Sequence, residues 1–571
     1  MITRVCAGVR GRPQNGRVSV IAVVADSSGG GLLRPLDETG HPGGPDEHVA
    51  DLAAAVAARE TARPRWLWAA ADQAYPRLLA AGVRVHRCHD VELAESLLLA
   101  YDGRYGEPRS AAAAYARLTG APVPADAAAR QAQPPGDRQG TLFGDEPAPI
   151  VADDGVPPLD LLAAVYRDQR ARLAANEHPA RMRLLIAADS ASALIAAEMG
   201  HTGLPWDAAA HDEILTSLLG EPSAVRSRTG LTPPRRLAEL SARIAELLHA
   251  PGLHPDSPAE LRKALRRAGH EVPNTRSWVL KQVDHPVIPV LLEYKELYRI
   301  WTAHGWSWRE QWVQRGRFRP AYVPAGVVTG RWATRGGGAL QIPKAVRGAV
   351  RAAPGWRLVV ADAGQLEPRI LAAVSADTRL ARAAGTGDLY AALAADSFRG
   401  DRAGAKLALL GAMYGQTGGS AAPAIAVLRG SYPRAWAYVE AAARAGETGG
   451  LVRSWLGRTC PPSSLESSWA DEGASGRSRG RFTRNFVIQA TAAEWAATLL
   501  ATLRTRLWDS PAELVFFQHD EVIVHCPEAE AELVVAALEE AGTATREMLF
   551  PGTPVRFPLT VAVVDSYAEA K

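Results

Sequence analysis

Two short acidic segments, each set in an apolar run, and a basic helical stretch between them constrain this 571-residue chain more than any other feature. The first follows Leu358 to Ala361 and reads Asp362-Ala363-Gly364-Gln365-Leu366-Glu367. The second follows Leu514 to Phe517 and reads Gln518-His519-Asp520-Glu521, after which Val522 to Val524 resume the apolar pattern. Short apolar runs of this kind suit buried strands, and a polar triplet between two of them suits a hairpin tip. Both carboxylates are therefore expected at strand ends, where a cleft can form. Between the segments, Arg402, Lys406, Leu410 and Tyr414 recur every four residues. On a helix of 3.6 residues per turn that spacing drifts by only about 40° per step, so the four form one stripe. Two carboxylates can hold two divalent cations, and a basic helix can hold a triphosphate. Phosphoryl transfer needs charge neutralised and reactants aligned more than it needs covalent chemistry. The three parts together suit nucleotidyl transfer.

These motifs resemble those of the family A DNA polymerases, the bacterial DNA polymerase I type. Asp362-Ala-Gly-Gln365-Leu-Glu367-Pro-Arg369 resembles the first palm motif, usually D-Y-S-Q-I-E-L-R. Arg402-x3-Lys406-x7-Tyr414-Gly415 resembles the fingers-helix motif, and His519-Asp520-Glu521 the second palm motif. Leu292-Glu293-Tyr294-Lys295, Thr329-Gly330-Arg331, Leu340-Gln341-Ile342-Pro343, Arg481-x3-Asn485-x3-Gln489 and the stretch Phe557 to Tyr567 are similar to further family elements, in the family's order. The resemblance covers about residues 230–571.

The resemblance implies roles. Asp362 and Asp520 would ligate two Mg2+ ions, for which Mn2+ could substitute, with Glu521 in support. Arg402 and Lys406 would hold the triphosphate, and Lys406 would protonate the leaving pyrophosphate. Gln365, Glu367, Tyr390, Leu410 and Tyr414 would surround the incoming nucleotide, with Glu367 excluding a 2′-hydroxyl. Thr329, Arg331, Arg481, Asn485, Gln489 and His519 would meet DNA. Two positions depart from the family. Leu410 stands where Phe or Tyr is usual, keeping apolar surface but losing a flat face for the sugar. Tyr390, in Asp388-Leu389-Tyr390, stands where His is usual. Primer–template DNA and deoxynucleotides are the implied partners, and a monomer is expected.

The implied fold is multidomain α+β. An N-terminal α/β exonuclease-like, RNase H-like domain spans 1–175, with a linker at 122–157. A right-hand polymerase follows: thumb 176–300, palm 301–384 and 481–571, and fingers 385–480. In the first domain Arg17 to Val24 and Leu32 to Leu36 read as strands, Val49 to Arg59 as a helix, and Trp66 to Ala71, Gln73 to Ala81 and Val91 to Ala100 continue an alternating α/β pattern. Cys88 to Ser96 resembles the exonuclease family's D-T-M-L-E-S helix. A two-metal exonuclease also needs a D-x-E pair on its first strand. None is present there; Asp26, Asp72 and Asp168 are isolated acids. An exonuclease-like scaffold without proofreading activity is expected.

The linker is rich in Pro, Ala, Gly and Gln, and holds Gln139-Gly-Thr-Leu142-Phe143. That segment resembles the peptides by which bacterial proteins dock on the sliding clamp, and packing back on its own domain is the alternative. Ser257-Pro258 opens a helix lined by Arg262, Lys263, Arg266 and Arg267, suited to phosphate contacts. Net charge is only +3, so nucleic-acid binding must rest on local basic surface. Cys6, Cys88, Cys460 and Cys526 are too dispersed for a zinc site or a disulfide framework. No signal peptide and no membrane-spanning apolar run is read, and a cytoplasmic location near the nucleoid is expected. A single-subunit RNA polymerase shares the chemistry, but Glu367 argues against it. A catalytically dead, clamp-tethered DNA-binding protein would not need both aspartates and Lys406.

Overall fold

The computed structural model describes residues 20–127, 157–221, 226–227, 230–338, 342–415, 421–462 and 476–570. Gln139, Leu142 and Phe143 lie outside the described residues, as do Arg17 to Ser19 and Leu340-Gln341. The chain divides into two compact units, the first within 1–128, 145–194 and 441–487, the second within 195–440 and 488–571. The divisions fall inside the helices Pro179–Thr202, Pro433–Glu447 and Gly476–Arg506.

The first unit is built on a five-stranded sheet: β1 Val20–Ala25, β2 Gly31–Leu36, β3 Glu47–Val49, β4 Arg65–Trp68 and β5 Arg87–Asp90. Its order is β3-β2-β1-β4-β5. The β1, β2 and β3 strands pair antiparallel, and β1, β4 and β5 pair parallel. The expected helix from Val49 begins later, at Leu52. Val49 pairs with Gly31 in the sheet, and Asp51 caps the helix by accepting from the Ala54 N–H at 2.9 Å. A hydrogen-bonding side chain at the N-cap outweighs apolar periodicity in setting where such a helix starts. The expected Trp66 to Ala71 segment likewise stops as a strand at Trp68, and Ala71 opens the next helix. Val20, Ala22 and Leu67 of the strands share one buried cluster with Leu159, Leu162 and Tyr166 of the helix Pro158–Ala174.

The second unit holds a four-stranded sheet. Strand Trp356–Ala363 lies between Glu521–Pro527 and Leu559–Val564, and Glu513–Gln518 pairs with Glu521–Pro527, all antiparallel. Leu358 to Ala361 are at most 3% exposed, as their uninterrupted apolar run requires. The helix Ala531–Leu549 packs against the strands Trp356–Ala363, Glu521–Pro527 and Leu559–Val564. The helix Gly476–Arg506 corrects the expectation that no segment is apolar and long enough to cross a membrane. It passes that test by length and composition, yet 83% of its apolar stretch is buried within the protein, which marks a core helix.

Candidate active site

Asp362 and Asp520 meet at one end of the sheet through backbone pairing. Asp362 is directly opposite Glu521 in the ladder, and Gln518 pairs with Glu521 to close the hairpin. His519 and Asp520 therefore form a two-residue tip, with His519 at φ 58°. The Asp520 carbonyl accepts a hydrogen bond from the Ala363 N–H at 3.0 Å, which ties the tip to the residue after Asp362. Both aspartates are half-buried. Glu521 faces inward at 4% exposure and accepts a hydrogen bond from the Tyr567 hydroxyl. Burial, this hydrogen bond and the neighbouring carboxylates Glu521 and Asp362 all push the Tyr567 hydroxyl above its ordinary pKa. Tyr567 thus remains a donor that holds Glu521 under the aspartate pair.

Glu367 stands beside this end in the first turn of the helix Leu366–Val374. Arg331 donates to one of its carboxylate oxygens, and the Tyr414 hydroxyl donates to the other at 2.6 Å. Burial and the Glu367 carboxylate raise the Tyr414 pKa, so this hydroxyl also stays protonated. Gln365 adopts φ 58° at the helix N-terminus and links the helix to the next segment. Its Nε2 donates to Asp388 Oδ1 and its Oε1 accepts from the Leu389 N–H, both at 2.9 Å.

The stripe of four residues is present on the helix Arg402–Tyr414. Its buried face carries Ala405, Ala408, Leu409, Ala412 and Met413. Arg402, Lys406 and Tyr414 are exposed on the other face, and Leu410 is half-buried. Asp401 caps the helix through the Gly404 N–H at 2.9 Å. Gly415 ends the helix at φ 72°. Arg402 Nε donates to Asp388 Oδ2 at 2.9 Å, and its guanidinium lies 5.6 Å from the centre of the Tyr390 ring. Partial burial opposes the charge on Asp388, but hydrogen bonds from Gln365, Arg402 and the Ala391 N–H hold its pKa down at about 2. Tyr390 is 7% exposed.

The remaining expected DNA contacts are placed differently from one another. His519 is exposed at the tip, and partial desolvation and the Arg331 guanidinium lower its pKa. Arg481, Asn485 and Gln489 stand one turn apart on the helix Gly476–Arg506, with Asn485 Oδ1 lacking a hydrogen-bond partner among the described residues. Thr329 is 4% exposed, and its Oγ1 has no partner among the described residues.

Arg369 was quoted in the motif without a role, and the structure gives it one. It is fully buried and donates to the backbone carbonyls of Gly364, Ala384, Thr386, Gly387 and Arg556. One guanidinium thus gathers the segment after Asp362, the segment before Asp388 and the approach to the strand Leu559–Val564. Its fixed fork of donors suits such a cage of carbonyls better than a lysine would. A charged residue so close to a helix start, in an otherwise apolar run, is the sequence sign of it.

The acid pair, the basic stripe and the clamped glutamate all lie in the second unit, and comparison with known proteins supplies the family. A model of DNA polymerase family A matches residues 229–566, more than half of the chain. The chain belongs to DNA polymerase family A. It is 26% identical over 306 residues to the thermostable DNA polymerase I of Thermus filiformis, covering 49% of this chain and 36% of that protein. It is 26% identical over 297 residues to DNA polymerase I of Chloroflexus aurantiacus, covering 47% and 31%. These matches thus span about a third of the length of the curated relatives. The structure is similar to the polymerase domain of Pol1 from M. smegmatis, solved with a DNA primer–template and dNTP. The TM-score is 0.68 at 18% identity, over 96% of this chain and 95% of that one, which shows a shared fold.

Proposed function

We propose that the chain is a DNA-templated DNA polymerase that adds deoxynucleotides to a primer 3′-hydroxyl. The observation that carries this reading is the backbone bond from Ala363 to Asp520, which sets Asp362 and Asp520 side by side at one sheet end. Hard oxygen donors in that arrangement fit Mg2+, which keeps waters and substrate phosphates as further ligands. Bound there, two ions would lower the pKa of the attacking hydroxyl and neutralise the departing pyrophosphate. Asp362 and Asp520 hold the charge in place, and Glu521 on Tyr567 keeps the hairpin tip in register. Lys406 and Arg402 present their cations from an exposed helix face to a triphosphate, with Lys406 the proton donor to pyrophosphate. Glu367 fills the space beside the sugar C2′, fixed in position by Arg331 and Tyr414.

In this reading the sheet with Trp356–Ala363 is the palm, the helix Arg402–Tyr414 belongs to the fingers, and the helices near Arg235–Leu247 and Pro258–Arg267 form the thumb. The first unit is an exonuclease-like domain, a reading supported by its β3-β2-β1-β4-β5 order. It is inactive in excision, because no acidic pair stands on its first strand. Primer extension with Mg2+, using deoxynucleotides, ribonucleotides and mismatched primer ends, tests all of this. Template-directed extension with deoxynucleotides and no 3′ excision is expected. Absence of extension on any primer–template would overturn the polymerase reading.

A further inference from the structure

A cavity of about 670 Å³ opens between the start of the helix Pro258–Arg267 and the turn that follows it. Arg262, Asn274, Arg276, Trp278 and Lys295 line it, and no aspartate or glutamate does. Among the described residues Trp278 is the most exposed of the large hydrophobic side chains, at 59%. It is held at this place from beneath. Val279 and Leu280 next to it are buried, and Asn274 closes the turn by accepting from the Arg276 N–H at 3.0 Å. Arg262 is fixed by donating from Nε to the Val272 carbonyl at 3.2 Å. Arg262 also lines a second cavity of about 260 Å³, with Lys263, Arg266 and Glu271. Three cations against one carboxylate keep this continuation of the first cavity net basic.

The exposed indole presents a flat, apolar π-face to solvent. A protein partner with an apolar face would be poorly matched by three cations around the ring. A duplex offers phosphates but keeps its base faces stacked and unavailable. An unpaired nucleotide offers both parts, a π-face for the indole and flanking phosphates that the cations can share. The cavity is of the size that small ligands occupy. We infer that Trp278, with Arg262, Arg276 and Lys295, forms a binding site for an unpaired nucleotide of single-stranded nucleic acid. The neighbouring Lys263 and Arg266 would receive the next phosphates of the strand. This site is separate from the aspartate pair and does not depend on the extension reaction.

The test uses the full chain without metal or nucleotides, with three labelled probes of equal charge. One is a single-stranded oligothymidylate, one the same backbone with abasic sites, and one a closed hairpin duplex. Trp278→Ala should weaken oligothymidylate binding about five- to a hundredfold, the range of one stacked base. It should leave the abasic strand and the hairpin within about twofold. Trp278→Phe should restore most of the loss. Arg262→Ser with Arg276→Ser should weaken oligothymidylate and abasic strand alike and flatten the salt dependence of both. Trp278 is on the surface, so an unchanged thermal midpoint will show that the variant is folded. Equal loss on all three probes, or no loss on oligothymidylate, would overturn the inference. Primer extension by the unaltered chain reports separately on the polymerase reading.

Discussion

The five-stranded sheet of the first unit and the four-stranded sheet of the second both carry acids near strand ends and use them in opposite ways. In the first unit Asp90, Glu95 and Asp168 are engaged by the surrounding structure. Asp90 is 3% exposed, caps the next helix through the Leu93 N–H and accepts from the Ala71 N–H at 2.7 Å. Glu95 is 1% exposed and sits between Arg117 and Arg172, at 2.9 and 3.1 Å. Asp168 pairs with Arg172 at 3.4 Å. In the second unit Asp362 and Asp520 stand half-buried on adjoining strand ends, and their neighbour Glu521 takes the inward place against Tyr567. A cation at Asp90, Glu95 or Asp168 would have to compete with the cap N–H groups and arginines that already bond these acids. Asp362 and Asp520 are brought next to each other on adjoining strand ends, where two carboxylates can share a cation. The difference between a scaffold and a candidate catalytic centre thus lies in where the acids stand relative to one another, more than in how many there are.

The sharpest way to break this contrast is to remove acids from each side. Asp362→Ala or Asp520→Ala should lower primer extension about a thousandfold or more, since several kcal/mol of charge stabilisation is lost. Primer–template binding should stay within a few fold. Asp72→Ala with Asp168→Ala should leave extension unchanged, and no Mg2+-dependent 3′ excision should exist for it to remove. Excision that those two changes abolish would show a working site in the first unit and collapse the contrast.

The next effect concerns the clamped glutamate. Glu367→Ala should raise ribonucleotide incorporation by roughly ten- to two-hundredfold, because a packed neighbour of the 2′ position disappears. The measurement is the ratio of kcat/KM for a matched ribonucleotide and deoxynucleotide. An unchanged ratio would remove Glu367 from the gate.

How much of this was legible beforehand follows from the range of the interactions. The ends of the strand Trp356–Ala363 and the 519–520 tip are set by short apolar runs, so their places are readable from neighbours in sequence. The stripe Arg402, Lys406, Leu410 and Tyr414 is equally local, being a matter of helical period. The N-terminal helix was misplaced by three residues because Val49 fits either pattern, and only the sheet partner Gly31 decides. The bond from Tyr414 to Glu367 joins residues 47 apart, and that from Tyr567 to Glu521 joins residues 46 apart. Arg369 reaches the Arg556 carbonyl across 187 residues. No local pattern encodes such partners; a buried arginine that answers to carbonyls alone leaves no complementary acid to look for.

A smaller effect sharpens the nucleotide side of the second unit. Leu410 is half-buried on the same stripe as Lys406. Leu410→Phe or Leu410→Tyr should lower the apparent KM for deoxynucleotides about two- to tenfold, by restoring a flat face worth roughly 0.5–1.5 kcal/mol. Leu410→Tyr should also ease dideoxynucleotide use. Steady-state extension with each nucleotide series measures both, and an unaltered KM in both variants would place Leu410 away from the substrate.

The smallest effect returns to the acids of the first unit and is read in stability. Burial, with Asp90, Asp72 and Asp126 nearby and Arg109 only partly offsetting them, pushes the Glu92 carboxyl up to about 7. In the unfolded chain it titrates near about 4.3. Between those values the native state binds more protons than the unfolded state, so this group's contribution to stability falls as pH rises and levels off above about 7. Asp90, also raised to about 7 by burial, acts in the same direction. Glu92→Gln removes one of the two titrations and keeps the side chain's volume. Relative to the unaltered protein it should gain no more than about 1 kcal/mol at pH 8 and nothing at pH 4, since Glu92 retains some solvent that screens its charge. Hydrogen exchange of the helix Val91–Tyr101 in the full chain, followed from pH 5 to pH 8 and corrected for intrinsic rates, isolates the local term. A variant whose protection falls with pH as steeply as that of the unaltered chain would mean that Glu92 is charged throughout. The first unit would then hold an ionised carboxylate near Asp90 and Asp72, which is the arrangement the contrast with Asp362 and Asp520 says it lacks.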